Sequence, residues 1–193
     1  MSVKLERDSA LIIVDVQNDF CPDGALPVPE GDKVVPVLNL YIKRFKSLDL
    51  PIFATRDWHP SDHISFRSRG GPWPPHCVQN TWGAEFHKDL ELPKDVFVIS
   101  KAYEPDKEAY SGFQGTDLSN RLRAIGVKRL FIGGLATDYC VKNTVLDALK
   151  EGFEVYLLED AVRGVDVQPS DSEKAIEEMF RRGAKKLSFS DIG

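Results

Sequence analysis

The chain has 193 residues, 42% of them apolar and 28% charged, and a formal net charge of −5. That length and composition predict one globular domain, residues 1–193, with one sizeable core. The acidic balance argues against nucleic acid or an anionic membrane as the main partner, and no apolar run is long enough to span a bilayer.

Residues 1–8 carry acids and precede only a short apolar run, which does not fit a signal peptide. Three cysteines, an odd number, argue for a reducing cytoplasm and against a disulfide framework. Leu11-Ile-Ile-Val-Asp15 is a continuous apolar run closed by an acid, the pattern of a buried central strand. Residues 20–32 form a loop dense in proline and glycine. Val34, Val37, Leu38, Tyr41, Ile42 and Phe45 then mark one face of an amphipathic helix. Residues 51–55 read as a second strand, leading into Arg56-Asp57-Trp58-His59.

A long aperiodic stretch, residues 58–93, is rich in proline and holds all three tryptophans. A loop of that length inside a compact domain is usually functional. Residues 96–100 form a third strand ending at Lys101, and a second loop covers 102–116. Leu118, Leu122 and Ile125 predict a short helix before a fourth strand at 129–133. Two glycines turn the chain there. Beyond Cys140, Val141, Val145, Ala148 and Leu149 recur at helical spacing until Gly152. Residues 154–158 read as a fifth strand, 171–182 as a last helix with Ala175, Ile176, Met179 and Phe180 inward, and 186–189 as a sixth strand.

Short strands alternating with helices or long crossovers predict an α/β fold with a parallel sheet covered on both faces. Ligands of such sheets bind beyond the carboxyl ends of the strands. Asp15, Asp57, Lys101 and Cys140 each fall at such an end. Any one of them fits a chain simply reaching water. An acid, a metal-ligand type, an amine and a thiol on one rim point instead to a site.

Cys140 stands where a strand gives way to a helix. Helix N-terminal N–H groups favour a thiolate and can cradle an oxyanion. Taken alone, Cys140 also fits a small buried core residue. Asp15 could take the thiol proton and Lys101 could stabilise the resulting thiolate, or the two could form only an ion pair. Asp57 and His59 stand two residues apart, with His63 and His76 in the same loop. An aspartate with two histidines suits a borderline divalent ion such as zinc or iron, although solvated loop histidines are common. Phe20, Trp73 and Tyr110, all in rim loops, could pack on the domain or sandwich a flat ring. Cys21 and Cys77 receive no catalytic role.

Six segments together resemble the motif set of the nicotinamidases, members of the isochorismatase-like cysteine hydrolase superfamily. They are Asp15-Val-Gln-Asn-Asp-Phe20, Arg56-Asp-Trp-His-Pro-Ser-Asp-His63, the segment from Gly71 to Asn80, Lys101, Ala109-Tyr-Ser-Gly-Phe113 and Gly134-Leu-Ala-Thr-Asp-Tyr-Cys140. The resemblance covers nearly the whole chain. It implies a three-layer α/β/α fold with a six-stranded, mostly parallel Rossmann-like sheet. It implies an Asp15–Lys101–Cys140 triad and an oxyanion hole from the N–H groups of Ala136 and Cys140, next to a cis peptide at Leu135–Ala136. It implies one divalent metal ion on Asp57, His59 and His76, zinc first, with iron and manganese as alternatives. His63 matches a position that ligates the metal in some relatives and not in others. Phe20, Leu26, Trp73, Tyr110 and Leu135 match the substrate-binding wall. The implied activity is hydrolysis of nicotinamide to nicotinate and ammonia through a thioester, in NAD salvage. Another amidase of the superfamily, of N-carbamoyl-amine hydrolase type, is the alternative, followed by a non-catalytic pyridine-binding protein. The relatives range from monomers to larger assemblies, which leaves room for a homo-oligomer.

Overall fold

The computed structural model describes residues 2–193. Six strands form one sheet: β1 (Ser9–Val14), β2 (Ile52–Asp57), β3 (Phe97–Lys101), β4 (Arg129–Leu135), β5 (Glu154–Arg163) and β6 (Lys185–Leu187). Their order is β3-β2-β1-β4-β5-β6, and each neighbouring pair is parallel. The chain therefore leaves β1 toward one edge and later returns to β4 on its other side. A crevice opens at such a reversal, beyond the carboxyl ends of the strands.

The period-two alternation of β1 sorts the core into two halves. Leu11 and Ile13 meet α1 (Val34–Ser47) on one face, where Val34, Leu38, Tyr41, Ile42 and Phe45 are buried. Ala10, Ile12 and Val14 meet α2 (Leu118–Ala124), α3 (Lys142–Lys150) and α4 (Asp171–Arg181) on the other. The result is the expected three-layer α/β/α arrangement. Among the described residues, no helix is long and apolar enough to cross a membrane.

Several boundaries differ from the sequence expectation, three of them informatively. β5 runs ten residues instead of five. Glu159 and Asp160 end the apolar run, but Asp160 is anchored: Tyr41 Oη donates to its Oδ1 at 2.8 Å and the Phe189 N–H to its Oδ2 at 2.8 Å. β6 stops at Leu187, because Ser188 and Asp191 form a reciprocal cap on a 3₁₀ turn over Phe189–Asp191. The helix after β4 does not begin at Cys140. A single π turn, Thr137–Val141, precedes α3, which starts at Lys142.

Gly134 makes the junction between β1 and β4 workable. Its φ is 124°, and a Cβ there would lie 2.2 Å from the Val14 carbonyl oxygen. Only glycine allows β4 to approach β1 this closely, which brings the segment carrying Cys140 alongside Asp15.

Candidate active site

Lys101 closes β3 and is fully buried, a costly position for an ammonium unless it is paired. Its Nζ lies 2.9 Å from Asp15 Oδ2 and closer still to Asp57 Oδ1. The same Nζ donates to the Ala109 carbonyl at 3.3 Å and stands 3.3 Å from Cys140 Sγ. One cation thus ties together the carboxyl ends of β1, β2 and β3 and the π turn after β4. Thr55 Oγ donates to Asp15 Oδ1 at 2.7 Å, which orients that carboxylate. Asp15, Asp57 and Cys140 have ligand atoms within 4.8 Å of one another.

Burial raises the pKa of Asp15, offset in part by Lys101. Burial also pushes the Cys140 thiol well above its ordinary value, with Lys101 pulling the other way. Lys101 itself is pushed up: burial disfavours its charge, but Asp15 and Asp57 outweigh that. For Asp57, burial would raise the pKa, yet Lys101 and His59 hold the carboxyl far below the usual range. Burial thus favours the uncharged form of both Asp15 and Cys140, and Lys101 opposes it in both.

Asp57, His59 and His76 form a second cluster, all three buried. His59 Nε2 is 3.5 Å and His76 Nε2 is 4.0 Å from Asp57 Oδ2. His59 Nδ1 faces the Ala102 carbonyl at 3.1 Å, and His76 Nδ1 faces the Pro74 carbonyl at 2.8 Å. A carbonyl can only accept, so both Nδ1 atoms carry the proton and both Nε2 lone pairs turn to the shared centre. That donor set, with each outer nitrogen held by a backbone carbonyl, fits a divalent cation.

His63 does not join it. Its Nδ1 accepts from Ser65 Oγ at 2.7 Å, and its Nε2 donates to the Lys107 carbonyl at 2.9 Å. With both ring nitrogens engaged, it stacks on His59 at 4.1 Å between centroids as a support.

Above these groups is a partly open cleft lined by Phe20, Leu26, Val28, Asp57, Trp73, His76, Tyr110, Ala136, Tyr139, Cys140 and Val165. Trp73 Nε1–H donates to Tyr110 Oη at 3.2 Å, and both rings pack against Tyr139. Phe20, Leu26, Trp73 and Tyr110 therefore line this cleft. Leu135 does not. It is fully buried in the α1 half of the core and absent from the lining. As the last residue of β4, its side chain points into the sheet packing, and the wall begins one residue later, at Ala136. The Leu135–Ala136 peptide is cis, as the resemblance implied. Val28, Tyr139 and Val165 were missed. Tyr139 had a signal, being next to Cys140. Val165 had none: it reaches the cleft because Asp138 accepts the N–H groups of Val165 and Asp166 at 2.9 and 2.8 Å. A wider hollow at the opposite end of the sheet, beside Arg7, Lys46 and Asp95, holds no nucleophile.

An isochorismatase domain is matched over residues 9–190. A nicotinamidase of Escherichia coli is 42% identical over 203 residues, covering 94% of this chain and 95% of that protein. A pyrazinamidase of Pyrococcus horikoshii, solved in complex with zinc, is 64% identical with a TM-score of 0.91, covering 94% of this chain and 99% of its own. An L. infantum structure in complex with nicotinate is 35% identical with a TM-score of 0.92, covering 100% of this chain and 99% of its own.

Proposed function

The chain belongs to the isochorismatase-domain family, and we propose that it is a nicotinamidase whose nucleophile is Cys140. It hydrolyses nicotinamide to nicotinate and ammonia, a step of NAD salvage. The observation that carries this reading is the contact of Lys101 with Asp15 and Cys140 on the floor of an aromatic cleft.

The flat pyridine ring enters between Phe20, Trp73 and Tyr110, where stacking and loss of water favour it. Its carboxamide carbon comes to rest above Cys140 Sγ. Asp15, a carboxylate whose burial makes it a better base, takes the thiol proton as Sγ attacks. The carbonyl oxygen becomes an oxyanion and accepts hydrogen bonds from the N–H groups of Ala136 and Cys140. Asp15 then returns the proton to the departing nitrogen, so ammonia leaves and a thioester remains on Cys140. A water enters, gives its proton to Asp15 and attacks the thioester carbon. Nicotinate is released and Cys140 recovers its proton. Lys101 stays an ammonium throughout and keeps Asp15 aimed at the sulfur.

Asp57, His59 and His76 would hold the divalent ion, zinc by the chemistry of two imidazoles and a carboxylate. Such an ion would supply Lewis-acid chemistry beside the cleft. These three residues orient it, and the buried loop around them keeps bulk water out.

The test is release of ammonia and nicotinate from nicotinamide by the metal-loaded protein, with an N-carbamoyl amine offered in parallel. Turnover of nicotinamide, and its loss in Cys140→Ser and Asp15→Asn, is the expected result. A hydroxyl is far less acidic than a thiol, and an amide cannot shuttle the proton. Turnover of the N-carbamoyl amine alone would overturn the reading.

A further inference from the structure

The pairing of β1 with β2 ends at Val14 and Thr55, and the Asp15 N–H still reaches the Thr55 carbonyl at 3.1 Å. Two residues along β2, Asp57 presents its own N–H and C=O in the same direction, because groups alternate along a strand. No β1 backbone meets them there. Asp15 has turned the chain away with a φ of 49°.

The Gln17 side chain takes the place of the missing strand. The Asp57 N–H donates to Gln17 Oε1 at 2.9 Å, and Gln17 Nε2 donates to the Asp57 carbonyl at 2.8 Å. The second hydrogen of Nε2 goes to the Ala84 carbonyl at 2.9 Å. Gln17 is fully buried. Its amide offers one acceptor and two donors, and all three are used. A flipped amide would set N–H against N–H and oxygen against two carbonyls, so the orientation is fixed by its partners.

We infer that Gln17 is a positioning residue: its amide continues the sheet by one peptide unit and thereby places the Asp57 carboxylate. That carboxylate serves two neighbours at once. Oδ1 meets Lys101, and Oδ2 meets the His59 and His76 nitrogens. The third bond, to Ala84, ties this placement to the loop that follows His76. Gln17 touches neither substrate nor metal and acts through Asp57. This rests on the reading of Asp57, His59 and His76 as a divalent-metal site.

Glutamate at position 17 keeps the acceptor for the Asp57 N–H but faces two carbonyls without a donor. Asparagine keeps the amide and loses the reach of one methylene. The experiment measures the zinc affinity of the metal-stripped protein by competition with a chromogenic chelator, with folding checked by near-ultraviolet circular dichroism. The variants are Gln17→Asn, Gln17→Glu, Asp57→Ala and, as a destabilised control in α1 away from the site, Phe45→Leu. Loss of an outer partner of a metal ligand weakens binding on the order of 10–100-fold. That loss is expected for both Gln17 variants, near-complete loss for Asp57→Ala, and parental affinity for Phe45→Leu. Should one Gln17 variant fail to fold, the other carries the comparison at equal weight. Parental affinity in the folded Gln17 variants, with loss in Asp57→Ala, overturns the inference and leaves the metal site standing. Parental affinity in Asp57→Ala overturns the metal site itself. A loss in Phe45→Leu equal to that of Gln17→Asn would make the effect one of general destabilisation and likewise overturn the inference.

Discussion

Replacing Lys101 with methionine separates electrostatics from packing, because the methionine stem fills most of the same buried space. The ammonium lies 3.3 Å from Cys140 Sγ. At that distance and an effective dielectric of about 20, a thiolate gains roughly 5 kcal/mol from it. Part of this is returned in the variant. With the cation gone, Asp15 no longer has the charge that offset its burial, so it takes up a proton and its repulsion of the thiolate falls. The net effect is a rise in the Cys140 pKa, smaller than the Coulomb attraction alone would give. The sign follows directly: a higher thiol pKa leaves less thiolate at any pH below it. Alkylation of Cys140 by iodoacetamide should therefore slow at least about tenfold on the rising part of its pH profile, and the two proteins should converge at high pH. Cys21 and Cys77 are replaced by alanine first; both are buried, and burial already raises the Cys21 thiol to about 11 and Cys77 well above its ordinary value. The readout is mass spectrometry of the Cys140 peptide against time. Superimposable profiles for parent and Lys101→Met would refute the electrostatic role and leave Lys101 a structural partner of Asp15 and Asp57.

Phe20→Ala and Trp73→Ala should each raise KM for nicotinamide by roughly two- to tenfold, from about 0.5–1.5 kcal/mol of aromatic contact, with further loss from burial. Unchanged KM in both, by steady-state kinetics, would move the ring out of this cleft. Gly134→Ala should cost at least about 2 kcal/mol, lowering Tm by about 4 °C or more in a domain of this size. Gly70→Ala is its control, since Gly70 also has a positive φ, 85°, but nothing within 4 Å of the added Cβ. Equal losses in the two, by thermal unfolding, would show that the approach of β4 to β1 is not what Gly134 serves.

The strands were legible because burial on both faces demands continuous apolar runs, and because Asp15, Asp57, Lys101 and Cys140 mark where those runs leave the sheet. Asp15, Asp57, Lys101 and Cys140 could be singled out for the same reason, whereas grouping His59 and His76 with Asp57 came from the motif resemblance. What was illegible depends on partners far along the chain. Glu159 and Asp160 read as the end of a strand, because nothing local shows that Tyr41 and Phe189 will hold Asp160. The π turn at Thr137–Val141 has no periodic signature of its own. Val165 enters the cleft only through Asp138. Leu135 and Ala136 are adjacent, yet one belongs to the core and the other to the wall, and only the end of β4 decides which. His63 carries the right chemistry, but Ser65 and Lys107 consume it. Gln17 was quoted within a motif without a role, since its partner at Asp57 is forty residues away.

A cysteine enzyme working among oxidants has to keep its nucleophile from being spent. Peroxide attacks thiolates and leaves thiols largely alone, and an over-oxidised sulfur is lost for good. Burial favours the protonated form of the Cys140 sulfur, with Lys101 pulling the other way. Cys21 and Cys77 are masked in the same way. Burial that disfavours the thiolate thereby also disfavours oxidation of the sulfur to sulfenic acid.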